Sequence, residues 1–139
     1  MPVTYVGNEK ACRRWLADTG SPFDLLDENH MPDDCRDNVE RADTNVILET
    51  ANGRTHGKYV CPMQLDQFME NIEPYVLKST PDVISIGRRC VKHGYGFHWD
   101  PFSKTPYFVR PDGELIMLES IDYVPYFPDY WNADNAPPI

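Results

Sequence analysis

The stretch WLADTGSP, residues 15–22, decides how this chain is read. An apolar segment runs through Trp15-Leu16-Ala17 into a single acid, Asp18. Thr19, Gly20, Ser21 and Pro22 follow at once. ACRRWLA (11–17) reads as a strand, and DTGSP (18–22) as a tight turn. Asp favours the start of such a turn, Gly a crowded backbone position, and Pro the exit. An acid at that place is either a turn residue or a working carboxylate. On the tripeptide alone the turn is the simpler account.

Working outward, the chain has 139 residues, which fits one domain. Thirteen prolines and eight glycines favour short elements over long helices. Tyr and Phe dominate the aromatics, and they suit strands. The fold class expected is therefore mostly β, with one short helix. The formal charge of −9 disfavours a partner gripped through phosphates, so no nucleic acid is expected. The same charge disfavours an anionic membrane surface, and no segment approaches the ~20 apolar residues of a span. Cys12, Cys35, Cys61 and Cys90 are widely spaced and lack a CxxC pair. With a polar N-terminus, this points to free thiols and an intracellular, cytoplasmic location.

Downstream, DENHMPDDCRDNVERAD (27–43) reads as an acid-rich surface loop with one helical turn. TNVILET (44–50) is β-prone, and Asn52-Gly53 is a strong hairpin-tip signal. The segment from 55 to 65 reads as the returning strand, 75–78 as a short strand and 82–87 as a buried one. RRCVKHG (88–94) reads as a short helix stopped by Gly94. Strand-like pieces continue to residue 121. The segment from 122 to 139, rich in aromatics and proline, reads as an extension beyond a domain of residues 1–121.

Other constellations point to little chemistry. Cys90, His93 and His98 do not have the spacing of a zinc set, so no metal is expected. There is no P-loop and no GxGxxG, and no cofactor is expected.

The order of acid turn, hairpin with an ANG tip, apolar strand and Gly-Arg helix resembles the retropepsin-like aspartic proteases. These are the peptidases of retroviruses and of LTR retrotransposons, the copia type in particular. WLADTGS (15–21), ETANGRTHG (49–57) and STPDVISIGRR (79–89) carry the resemblance, which spans roughly residues 11–100. Ala17 departs from it, since a larger aliphatic residue usually precedes the acid. Arg54 departs from it at the hairpin tip.

The resemblance implies a retropepsin-like closed acid-protease barrel, active as a C2 homodimer. Only one Asp-Thr-Gly is present, so the second acid would come from a second copy. Asp18, Thr19 and Gly20 would form the catalytic turn, with Thr19 bonding across the dimer and Ser21 holding the outer oxygen of Asp18. Asn52, Gly53 and Arg54 would cover bound substrate as a flap tip. Val83, Ile84 and Ile86 would line the site floor. Gly87 and Arg88 would brace the helix or the dimer. The implied activity is endopeptidase cleavage of an extended peptide or polyprotein. The alternative is a retropepsin-fold module kept for peptide binding or dimerisation, with weak catalysis.

Overall fold

The computed structural model describes residues 10–31, 33–50 and 53–132. In chain order the strands and helices begin with β1 (Lys10–Asp18), β2 (Leu25–Asp27) and α1 (Asp33–Asp37). The hairpin β3 (Glu40–Thr50) and β4 (Gly53–Val60) follows, then β5 (Met63–Leu65), β6 (Glu70–Ile72), β7 (Tyr75–Leu77) and β8 (Val83–Ser85). Helix α2 (Ile86–His93) precedes β9 (Gly96–His98), β10 (Tyr107–Val109), β11 (Leu115–Met117), β12 (Glu119–Ile121) and β13 (Val124–Asn132). The fold is mostly β.

The main sheet has eight strands in the order β12-β13-β1-β8-β2-β7-β4-β3. β1 lies inside it, antiparallel to β13 and parallel to β8, with Asp18 beside Ser85. Two small sheets, β11-β10-β9 and β5-β6, complete the fold.

Side chains on successive strand residues point to opposite faces, and both faces of this sheet are covered. On one face Trp15, Ala17, Leu26, Ile84 and Phe127 join Phe68, Tyr95 and Phe108 in the larger core. Phe68 meets Phe127 and Phe108 edge-on at 4.9 and 5.5 Å between ring centres, a favoured aromatic geometry. The buried Tyr95 hydroxyl donates to the Phe68 carbonyl at 2.9 Å. Burial pushes the Tyr95 phenol up to about 12, so it remains a donor. On the other face Leu25, Leu48, Val60, Tyr75, Leu77 and Val83 form a smaller core under the hairpin, with Leu16, Phe23 and Val46 against it. Gly57 is required there, because a Cβ would sit 2.8 Å from both Tyr75 and Val46.

Several expectations are corrected. The strand pairing of the described residues does not close a barrel: β12 and β3 are the two ends of an open order. The single helix of the expected fold class is joined by a second, α1, at the helical turn read within 27–43. Ile86 and Gly87 belong to α2, because Ser85 stops the strand by accepting the Arg88 N–H through its side chain. Gly94 ends α2 in the left-handed region, φ 75°, as its sequence position suggests. Residues 122–132 are no appendage, while 133–139 lie outside the described residues. Through Asn132 they form β13, paired with β1 from Lys10↔Asn132 to Leu16↔Tyr126.

Candidate functional site

The acid turn is built where β1 leaves the sheet. Trp15 and Ala17 fill the larger core, so by alternation Leu16 and Asp18 face the hairpin side. Asp18 is half-buried, and Thr19 and Gly20 are exposed. The Gly20 N–H donates to Asp18 Oδ1 at 2.7 Å, the bond of an Asx turn. A Cβ on Gly20 would lie 3.1 Å from that same oxygen. Glycine therefore lets the backbone amide reach the carboxylate.

The turn does not stand by itself. The Ser85 hydroxyl donates to the Ser21 carbonyl at 2.6 Å, and Arg88 Nε donates to the Pro22 carbonyl at 3.0 Å. The Arg88 guanidinium lies over the Phe23 ring, 4.8 Å from its centre. Deeper in, Asp24 is 6% exposed and Arg89 1%. Arg89 Nη1 and Nη2 donate to the two oxygens of Asp24 at 2.6 and 2.8 Å, a bidentate pair. The Ser85 N–H donates to Asp24 Oδ1 at 2.7 Å. Arg89 Nη2 also lies 3.0 Å from Glu70 Oε1, although neither that oxygen nor Arg89 Nε has a hydrogen-bond partner among the described residues. This strut fixes the exit of the turn to the start of α2.

The structure thus brings Asp18, Thr19, Gly20, Ser21 and Arg88 into one assembly. Ser21 acts differently from the expected role. Its hydroxyl donates to the Phe23 carbonyl at 2.6 Å, and the Gly20 amide, not Ser21, holds Asp18. Val83 lies in the core beneath the hairpin, on the side of Asp18. Ile84 and Ile86 are buried in the core of the opposite face, away from that side. Gly87 is exposed, with nothing near its missing side chain, so no close contact demands glycine there.

At the hairpin tip Asn52 lies outside the described residues. Gly53 has φ 107°, a conformation glycine accepts readily, and its carbonyl accepts the Thr50 hydroxyl at 2.9 Å. Arg54 is exposed and pairs with Glu49 at 2.8 Å, a solvated pair that adds only ~0–1 kcal/mol.

Sequence reasoning missed Asp24 and Arg89. Neither has a motif of its own, and only the long-range pairing of β1 with β8 brings them together. It also missed an open cleft of about 440 Å³ between the base of the hairpin and α2, which Asp18 does not line. Among the described residues no group of three His, Cys, Asp or Glu side chains is placed to hold a metal ion. No described helix is long and apolar enough to cross a membrane. The Cys61 thiol donates to the Cys35 carbonyl at 3.3 Å, and Cys90 is a free thiol. No family model, curated protein or solved structure matches this chain.

Proposed function

We propose that this chain is an aspartic endopeptidase of the retropepsin-like kind, working as a homodimer. The observation that carries this reading is the Asp18-Thr19-Gly20 turn. It is presented at the end of an inner strand, its carboxylate is held by the Gly20 amide, and the strut from α2 anchors its far side. An acid needed only to close a turn does not call for a buried bidentate pair six residues on. The hairpin, on the same face of the sheet as Asp18, would supply the kind of cover that excludes water from a peptide-cleaving site. The retropepsin-like part of the fold is this core of β1, β8, β2 and β7 with its hairpin, rather than a closed barrel.

One Asp18 is half of the machinery. Two carboxylates a few ångströms apart share one proton, because both cannot ionise cheaply. The ionised one takes a proton from water as the water attacks the peptide carbon. The protonated one donates to the carbonyl oxygen. The resulting tetrahedral species collapses with transfer of a proton to the leaving nitrogen. A second copy of the chain would provide the second Asp18, with Thr19 of each turn bonding across the axis. Substrate would enter extended, paired through its main chain.

The test is cleavage of a mixed peptide library between about pH 4 and 7 by the wild type and by Asp18→Asn. The expected result is cleavage by the wild type alone, with specific activity rising with protein concentration. Equal cleavage by both proteins, or none by the wild type at any concentration, would overturn the reading.

A further inference from the structure

The 440 Å³ cleft falls within the ~300–1,000 Å³ of ordinary ligand sites, and its lining is unusual in charge. α2 contributes Arg88 and Lys92, one helical turn apart. β3 contributes Glu40, Arg41 and Asp43, and the link into β7 contributes Glu73. None of these acids forms an ion pair with Arg88 or Lys92, so opposite charges share an open space without meeting. The buried Arg89, whose Nε lacks a partner, lines the same cleft.

The backbone beside the cleft points to the class of occupant. β3 is an end strand of the main sheet, so among the described residues one edge of its main chain has no strand partner. Its register with β4 also breaks between Arg41 and Val46, where Ala42 to Asn45 stand against Lys58 alone. That bulge is pinned by the Tyr75 hydroxyl, which donates to the Thr44 carbonyl at 2.7 Å. A free strand edge pairs with another extended chain. A polyanion is disfavoured by Glu40, Asp43 and Glu73, and a polycation by Arg41, Arg88 and Lys92.

We propose that this cleft binds an extended polypeptide segment carrying both a basic and an acidic side chain. The base would face Glu40, Asp43 and Glu73, the acid would face Arg88 and Lys92, and the backbone would run along the β3 edge. This binding is separate from chemistry at Asp18 and does not require it.

The test is calorimetric titration of the full chain with doubly capped tetrapeptides: Lys-Ala-Ala-Glu and its reverse, Lys-Ala-Ala-Lys, Glu-Ala-Ala-Glu and Ala-Ala-Ala-Ala. One mixed-charge order should bind at least about fivefold more tightly than any same-charge peptide, and Asp18→Asn should bind it equally well. Lys92→Glu should move the preference at least about threefold toward Lys-Ala-Ala-Lys, and Glu73→Lys toward Glu-Ala-Ala-Glu. Both substitutions are at exposed positions, and a misfolded variant would lose binding without reversing its preference. Equal affinity for all five peptides, no binding, or unchanged preference in both variants would overturn the proposal. Loss of cleavage in Asp18→Asn with peptide binding intact would separate this site from the peptidase reading.

Discussion

Asp18 and Asp24 lie six residues apart on one turn, and they are handled in opposite ways. Asp18 is half-buried and accepts one bond among the described residues, from the Gly20 amide. Asp24 is buried and accepts three, two from the Arg89 guanidinium and one from the Ser85 amide. A carboxylate with its lone pairs committed holds structure and has little capacity left for chemistry. A carboxylate tied through one oxygen, on an exposed turn, keeps that capacity. The comparison teaches that the acid surrounded by recognisable sequence is the lightly held one, while the acid that anchors the loop looks ordinary.

The comparison can be broken most directly at the anchor. Asp24→Ala leaves the Arg89 charge buried and without its bidentate partner, a change that costs about 3–5 kcal/mol. Urea denaturation should show the midpoint fall accordingly; a loss below about 1 kcal/mol would mean that the strut is dispensable. Asp18→Asn should do the reverse, leaving stability within about 0.5 kcal/mol while cleavage falls by about 10²–10⁴-fold. The two readouts must separate for the contrast to stand. Gly20→Ala sharpens it, because the new Cβ presses on Asp18 Oδ1 from 3.1 Å. Cleavage should drop about tenfold with less than about 1 kcal/mol of lost stability, the neighbour being a side chain that can turn aside.

The smallest effect concerns two acids that belong to neither class. Burial raises the carboxyls of Asp82 and Asp129 above their usual 3.8, against the opposing pull of Arg13. An acid with a raised folded-state value binds protons more readily folded than unfolded. Its contribution favours the fold below about 3.8 and is lost as pH rises through the folded value. Asp82→Asn should therefore flatten the pH dependence of stability between neutrality and pH ~4. The amide oxygen can still accept the Asp27 N–H that Asp82 Oδ1 accepts at 2.9 Å. An unchanged slope in denaturation midpoints across that range would remove Asp82 from the account.

Much of this molecule was legible where the signal is local. An apolar run and a breaker marked β1 and its turn, Asn-Gly marked the hairpin, and Gly94 marked the end of α2. The rest depends on partners distant in sequence. The Asp24–Arg89 pair spans the gap between β2 and α2, and Asp24 is one of several acids near the turn without a motif. Pro125 and Pro128 made the C-terminal segment look unfit for a sheet, yet Pro128 stands opposite Arg14 within β13. β12 pairs with β13 only from Val124 to Tyr126, so Pro128 has a described strand on one side alone, and proline is tolerated at such an edge. Ile84 and Ile86 were placed at the site floor by resemblance, but alternation and the Ser85 cap turn them to the other core. The open cleft arises from a bulge in β3, and irregularities of register leave little trace in a single sequence.

The pairing of β1 with β13 also sets a timetable. The strand that carries Asp18 is made long before its neighbour β13, which lies more than a hundred residues further along the chain. Closing so large a loop adds only slowly to the entropy cost, as (3/2)RT ln n, but it delays the contact until that last strand emerges. Non-local strand pairing is also intrinsically slow. Until then one edge of β1 stays bare, and the sheet beneath Asp18 is incomplete. The sheet that positions Asp18 is therefore completed only after synthesis has passed residue 132.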